Sequence, residues 1–287
     1  MEVYENIIHE DLIDTVKEEC KKMHHCAISL IGTLKDYKYT TFWMGRDEEP
    51  KTLIEYIAKD ISLQDYPDGY PENYAGFEWW SQVRDEKEDI TFHYDKDEGL
   101  ATREKKFIHP MKTTITYLTN IGGPTAIFPK VGGITDVIKS NEYNTGYLSF
   151  PKVNKHVIAT GHFFHGVIGP LSKINPSEDL KRITLVINYW YQKPIEPNCI
   201  HLPRDDRLPL IPLTDEHVRL QKSIQRKKEK MIKMNYKNGV QNIKIFRNKT
   251  PVNLTFGKNL RDGRTYLFNM KDKPNLPTLS VKTFSSF

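Results

Sequence analysis

Ile90-Thr91-Phe92-His93-Tyr94-Asp95-Lys96-Asp97 is a short run of strand-forming residues that ends among carboxylates. On a strand, residues i and i+2 point to the same side, so His93 and Asp95 share one face. An imidazole and a carboxylate on one face are two of the three groups in the facial triad that holds non-haem Fe(II). A three-residue match is common, so its surroundings decide its value. The predicted strand 90–94 stands in a series with 77–83, 113–119, 125–128, 147–150, 156–160, 163–168 and 182–191. Gly, Pro and Asn punctuate the series, and Gly122-Gly123-Pro124 and Gly132-Gly133 read as turns. Short strands at this spacing predict a sandwich or barrel rather than a βαβ repeat. The chain has neither a dinucleotide-binding glycine fingerprint nor a P-loop.

Helical patterns flank the strands. In 7–23, Ile8, Leu12, Val16, Cys20 and Met23 draw one apolar stripe, with Glu10, Asp11, Asp14 and Glu18 opposite. In 51–62, Leu53, Ile54, Ile57 and Ile61 do the same, and the loop Asp65-Tyr66-Pro67-Asp68-Gly69-Tyr70-Pro71 ends it. Pro194, Pro197, Pro203, Pro209 and Pro212 make a stiff connector. Thr214-Asp215-Glu216 then starts a helix, with a capping hydroxyl and two acids at its positive end. Leu220, Ile224, Met231 and Met234 supply its stripe and Asn238-Gly239 stops it. The remainder has short apolar clusters without a repeat and reads as an irregular tail. The expected fold is mainly β with flanking helices (α+β). Residues 1–196 hold the strands and N-terminal helices, and 197–287 form an extension with one basic helix.

At 287 residues, 38% hydrophobic and 28% charged, the chain has the composition of a globular protein, which argues against collagenous and disordered classes. Apolar runs such as Ala27-Ile28-Ser29-Leu30-Ile31 fall far short of the roughly 18–20 residues of a membrane span, so no membrane partner is expected. The start, Met1-Glu2-Val3-Tyr4-Glu5-Asn6, is acidic and polar, unlike a secretory signal. Cys20, Cys26 and Cys199 follow neither a disulfide nor a CxxC pattern, and free thiols suit a reducing compartment. A cytoplasmic location is expected, with a nuclear one compatible. The net charge of +5 is uneven: 214–249 carries +8 and the other residues −3. Such a segment can meet nucleic acid, but Arg226-Lys227-Lys228 lacks the interleaved aromatics of a single-strand binder, and that partner is not favoured.

Two later runs give the H-x-D its context: Gly161-His162-Phe163-Phe164-His165-Gly166-Val167 and Arg182-Ile183-Thr184-Leu185-Val186-Ile187-Asn188-Tyr189-Trp190. His156, His162 and His165 compete to complete a triad, and His162 and His165 face opposite ways on one regular strand. His109-Pro110 reads as a loop before a strand. An H-x-D, a histidine 72 residues on and an arginine 17 further form an ordered set. With His93-x-Asp95, His165-Gly166-Val167 and Arg182-x-Thr184, the chain resembles the Fe(II)- and 2-oxoglutarate-dependent oxygenase superfamily over about residues 74–192.

The resemblance implies a double-stranded β-helix (jelly-roll) core and a dioxygenase that takes Fe(II), 2-oxoglutarate and dioxygen. It implies hydroxylation of a C–H bond, or a demethylated product from an N-methyl group, with release of succinate and CO₂. It selects His165 as the third metal ligand after His93 and Asp95, with Gly166 relieving crowding at the metal. Arg182 is the expected partner of the cosubstrate's distal carboxylate, being planar and always charged. Thr184 shares its face. On the strand 113–119, Thr114 and Thr116 share one face and Ile115 and Tyr117 the other; Thr116 is taken as a further cosubstrate contact, with Tyr117 its rival. Asp95 occupies the position where related halogenases carry a small residue, so hydroxylation is favoured over halogenation. Asn188, six residues after Arg182, stands where AlkB-type nucleic-acid demethylases carry a second arginine, and Arg182-x-Thr184 is unlike the lysine of JmjC-type demethylases. Asn188 is expected in the substrate pocket. Glu78-Trp79-Trp80 and Phe92 or Tyr94 are candidates for its wall, with Trp79 and Tyr94 chosen. The primary substrate, a small molecule or a protein side chain, is not specified.

Overall fold

The computed structural model describes residues 1–31, 41–131, 145–172, 181–195, 199–202, 210–237, 240–247, 250–258, 260, 263–269 and 278–281. The Gly132-Gly133 turn, the Asn238-Gly239 stop and Pro197, Pro203 and Pro209 of the connector lie outside them. The chain opens with β1 (Glu2–Glu5), α1 (Glu10–Ile31), β2 (Thr41–Gly45) and α2 (Leu53–Asp65). There follow β3 (Gly76–Asp85), β4 (Ile90–His93), the short helix α3 (Glu98–Arg103), β5 (Lys112–Tyr117) and β6 (Thr125–Val131). Next come β7 (Thr145–Ser149), β8 (Lys155–Thr160), β9 (Phe163–Val167) and β10 (Lys181–Trp190). After these stand β11 (Cys199–His201), α4 (Asp215–Lys222), β12 (Lys227–Lys228) and β13 (Ile232–Lys233). The last are β14 (Val240–Arg247), β15 (Thr250–Gly257), β16 (Thr265–Asn269) and β17 (Thr278–Val281).

The fold is mainly β. One eight-stranded sheet runs β11-β2-β3-β10-β5-β8-β1-β12 and a six-stranded sheet runs β13-β16-β7-β6-β9-β4. β10 is paired along its length, with β3 on one side and β5 on the other. Its Ile183, Leu185, Ile187 and Tyr189 pack with Phe77 and Trp79 of β3 against the two N-terminal helices. The stripe Ile8, Leu12, Val16, Cys20 and Met23 lies in that core, with Leu53, Ile54, Ile57, Ala58 and Ile61 of α2. A capping box starts α2: Thr52 Oγ1 accepts from Glu55 N at 3.4 Å, and Glu55 Oε2 accepts from Thr52 N at 3.0 Å. Val3, Ile115, Tyr117, Ile127, Val157 and Ala159 form a separate cluster.

The extension differs from the sequence expectation. The basic helix predicted over 214–237 stops at Lys222. Between Ile224 and Met231 its stripe has a gap of polar residues, and sheet pairing takes them: Lys227 and Lys228 pair with Glu5 and Tyr4 of β1. Arg226 lies over the Tyr4 ring at 4.3 Å and 3.6 Å from Asp65, and Lys228 is 3.1 Å from Glu2. Part of the basic segment is therefore occupied internally. The tail is not irregular in its described parts. β14, β15 and β16 contribute Val240, Ile243, Leu254, Phe256, Tyr266 and Phe268 to a core with Phe92, Phe128, Leu148 and Phe164 of the six-stranded sheet. Among the described residues, no helix is long and apolar enough to cross a membrane.

Asn154, in the turn before β8, has φ 62° and joins the N-terminal segment to the sheet. Its Oδ1 accepts from Ile7 N at 3.0 Å and Ile8 N at 2.8 Å, and its Nδ2 donates to Ile8 O at 2.6 Å. Asn154→Ala loses these bonds and meets the steric cost of left-handed backbone. It is expected to lower the unfolding free energy by roughly 2–4 kcal/mol in urea titrations. A change below about 0.5 kcal/mol would show that the staple contributes nothing.

Candidate metal centre and adjoining cleft

Strands β4 and β9 run antiparallel with His93 opposite His165. Asp95 lies two residues beyond β4, and one ligand atom from each of the three groups falls within 4.8 Å of the others. His93 Nε2 is 3.4 Å from Asp95 Oδ1, and His165 Nε2 is 3.7 Å from Asp95 Oδ2. Each imidazole is oriented from behind. His93 Nδ1 is 2.6 Å from Thr91 O, and His165 Nδ1 is 2.9 Å from Phe163 O. A carbonyl accepts only, so both Nδ1 atoms carry a proton and both Nε2 atoms are turned toward the carboxylate. Thr113 Oγ1 donates to Asp95 Oδ2 at 2.9 Å, and His109 Nδ1 bonds to Asp95 O at 2.6 Å. Burial opposes ionisation of Asp95, but the His165 and His93 imidazoles outweigh it and hold the carboxyl well below its usual range. Burial lowers His165; on His93 it is overcome by the bond to Asp95, which raises the imidazole. Two imidazoles and one carboxylate fit a first-row divalent metal with open positions.

The competing histidines are elsewhere. His156 is fully buried, with Nε2 3.1 Å from Asp65 Oδ2 and Nδ1 2.8 Å from Thr116 Oγ1. His162 sits in the turn between β8 and β9, beside the Phe163 ring. Neither joins the cluster.

Arg182 reaches the cavity that His93, Asp95 and His165 line. Its side chain is buried to 1% exposure, and Nη2 donates to Thr125 Oγ1 at 3.1 Å. Tyr117 OH also donates to Thr125 Oγ1, at 2.8 Å, and the guanidinium carbon lies 5.3 Å from the Tyr117 ring centre. Nε and Nη1 have no hydrogen-bond partner, and no carboxylate pairs with this cation among the described residues. Burial works against its charge. Thr184 shares the inward face, with its hydroxyl 3.5 Å from Gln82 Oε1.

Three expectations are corrected. Thr116 faces away from the cavity: it pairs with Leu185, which packs towards the helices, and binds His156. Its rival Tyr117 faces Arg182. Trp79 also points to the helix side, where it is fully buried against Phe42, and Trp80 on the opposite face lines the cavity. Gly166 makes room for Phe92 rather than for a metal, since a Cβ there would lie 2.7 Å from the Phe92 ring and from Ile90 O. Nothing in the sequence pattern marks Thr113, Thr125 or His109, because each acts through a contact distant along the chain.

Beside the cluster opens a cleft of about 410 Å³. Asn188 and Tyr94 line it as expected, together with Glu78, Trp80 and Glu98. Burial raises the Glu78 carboxyl to about 7.

No family model matches the sequence, and no curated protein does. The chain is similar to solved 2-oxoglutarate–Fe(II) oxygenases. A prolyl-4-hydroxylase from Pseudomonas putida is 15% identical with a TM-score of 0.36, over 63% of this chain and 82% of that one. HygX from Streptomyces hygroscopicus, with nickel and 2-oxoglutarate bound, is 13% identical with a TM-score of 0.36, over 66% and 80%. An oxidoreductase of the 2OG-Fe(II) oxygenase family from Burkholderia pseudomallei is 14% identical with a TM-score of 0.26, over 42% and 45%. Likeness of this degree carries no weight for activity, which rests on the residues of the site.

Gly122 sets how closely the loop before β6 approaches Arg182. Its φ is 101°, and a Cβ there would lie 2.6 Å from Arg182 Cδ. Gly122→Ala is expected to cost roughly 1–3 kcal/mol in urea unfolding, from strained backbone and a forced shift of the arginine stem. A variant as stable as wild type would show that the loop does not hold that stem.

Proposed function

We propose that this chain is a non-haem Fe(II)- and 2-oxoglutarate-dependent dioxygenase that hydroxylates a C–H bond of its substrate. The observation that carries the reading is a buried arginine with two unpartnered nitrogens in the same cavity as a His-Asp-His cluster. An uncompensated buried cation is costly, so the cavity favours an anionic ligand. 2-Oxoglutarate fits on both counts: a distal carboxylate for Arg182 and a 2-oxo acid end for a metal. The chemistry that such a metal supplies is the coupling of dioxygen to oxidative decarboxylation of the cosubstrate, with succinate and CO₂ released.

In this reading His93, Asp95 and His165 would hold Fe(II). Thr91 O and Phe163 O fix the imidazole tautomers, and Thr113 fixes the carboxylate. Arg182, whose Nε and Nη1 have no partner, would receive the distal carboxylate, with Thr125 and Tyr117 holding the guanidinium in place. Thr184 is a further polar group on that face. The carboxylate of Asp95 keeps the third ligand position and favours hydroxylation over halogenation. The double-stranded β-helix is supported by strand order: β3-β10-β5-β8 in one sheet and β7-β6-β9-β4 in the other, eight strands in two sheets. Residues 1–196 carry the catalytic groups of this unit, and the described strands β11, β12, β13 and β16 of the extension join its two sheets. Cys20 and Cys199, buried and unbridged, accord with a cytoplasmic location.

Anaerobic titration with Fe(II) and 2-oxoglutarate is expected to give the weak visible charge-transfer band of a chelated 2-oxo acid complex. Arg182→Ala loses charge-assisted hydrogen bonds and is expected to need roughly 10- to 100-fold more 2-oxoglutarate for half the band. His93→Ala, Asp95→Ala and His165→Ala are each expected to abolish it, whereas His162→Ala keeps it. Wild-type protein that binds iron without developing the band would overturn the assignment.

A further inference from the structure

The cleft beside the cluster presents acceptors and negative charge. Asn188 is 3% exposed, lies on the inward face of β10, and its Oδ1 has no hydrogen-bond partner. Its neighbour across the strands is Glu78 on β3, and on the other side Thr113 of β5, which donates to Asp95. Strands lie roughly 5 Å apart, so Asn188 stands one step from the anchor of the cluster and Glu78 two. Glu78 is fixed in place: Thr41 Oγ1 donates to its Oε1 and Trp190 Nε1 donates to Oε2 at 3.0 Å. Each carboxylate oxygen keeps a further lone pair.

The charges lining the cleft do not cancel. Apart from Asp95 they are Glu78, Glu88, Asp89 and Glu98 against Arg84 and Lys96. Arg84 pairs with Glu88 at 2.9 Å and Lys96 with Glu98 at 2.6 Å. Asp89 accepts from Gly169 N at 2.8 Å. Glu78 and Asp89 are left without a cation among the described residues. Trp80, half-buried in the row beside Glu78, adds an aromatic wall that suits an alkyl stem or a cationic head.

We propose that the cleft binds a substrate carrying a cationic nitrogen, an ammonium or guanidinium group, which donates hydrogen bonds to Asn188 Oδ1 and the Glu78 carboxylate with its stem against Trp80. The inference rests on the oxygenase reading only in treating the bound molecule as the substrate. A ligand with acceptors alone leaves Asn188 Oδ1 unmatched, and an anionic one adds to the negative charge. An uncharged donor satisfies Asn188 but brings no charge to Glu78, whose carboxyl is raised by burial to about 7. A donor with positive charge serves both groups and favours the ionised form of Glu78.

Calorimetric titration tests this with N-acetyl-lysine amide and N-acetyl-arginine amide against the uncharged isosteres N-acetyl-norleucine amide and N-acetyl-citrulline amide. It is run anaerobically with Fe(II) and 2-oxoglutarate, and again without metal. At least one cationic probe is expected to bind ten-fold or more tightly than its neutral counterpart. The near-isosteric Glu78→Gln is expected to weaken that probe at least ten-fold, whereas Asn188→Asp, which adds a charge, strengthens it. Equal binding of charged and neutral probes, no binding of either, or cation binding unaffected by Glu78→Gln would each overturn the proposal. The charge-transfer band in the same samples separates the two readings. The band without cation preference rejects the substrate class alone. Cation preference without the band upholds the cleft and rejects the metal assignment.

Discussion

Strand β10 is paired on both edges and buried on both faces, and that constraint organises the rest of the molecule. A strand in this position has no route to water, so each side chain must be satisfied within the protein. Its odd-numbered residues, Ile183 to Tyr189, solve this by packing on the helices. Its even-numbered residues carry Arg182, Thr184 and Asn188 into the interior, where hydrocarbon cannot satisfy them. The helical layer thus holds the strand in phase, and the phase delivers the polar set to one side. Slipping the strand by one residue would put Arg182 among leucines and isoleucines and Leu185 beside the cluster.

The cluster depends on a second, more local device. His93 and His165 are directly opposed across β4 and β9, which brings two imidazoles together without any help from loops. Asp95 has no such support, since the strand has ended before it. It is held instead by Thr113 from the other sheet and by His109 on its backbone carbonyl. The site therefore spans the gap between the two sheets, and its geometry depends on their being packed at a fixed separation. The tail strands contribute here by covering the outer side of β4 and β9, where Phe92 and Phe164 face Phe268 and its neighbours.

Much of this was legible in the sequence because periodicity reports which residues share a face. The stripe from Ile8 to Met23, the eight strands and the pairing of His93 with Asp95 all follow from spacing. Periodicity does not report which face is inward when both are buried. Thr116 against Tyr117 and Trp79 against Trp80 are errors of that kind: the alternation was right and its phase was not. The basic helix failed for a different reason. Leu220, Ile224, Met231 and Met234 keep helical spacing, but the six residues between Ile224 and Met231 are all polar, and pairing of Lys227 and Lys228 with β1 takes part of that run. The tail was illegible because its apolar clusters gain a partner only on a sheet face built some hundred residues earlier.

The interior is also polarised in a way that neither half shows alone. On one side of the cluster a guanidinium is buried with unpartnered donors; on the other, Asn188 and Glu78 offer acceptors. Desolvated charges of opposite sign on the two sides make exchange of ligands costly, because each would meet like charge and unpaired groups. In the proposed reading a dianionic cosubstrate would be drawn to Arg182 and repelled from Glu78, and a cationic substrate would have the reverse preference. The same polarity accounts for Arg182 being tolerated unpaired: among the described residues no carboxylate pairs with it, so in the proposed reading one that arrives with a cosubstrate would have no competitor.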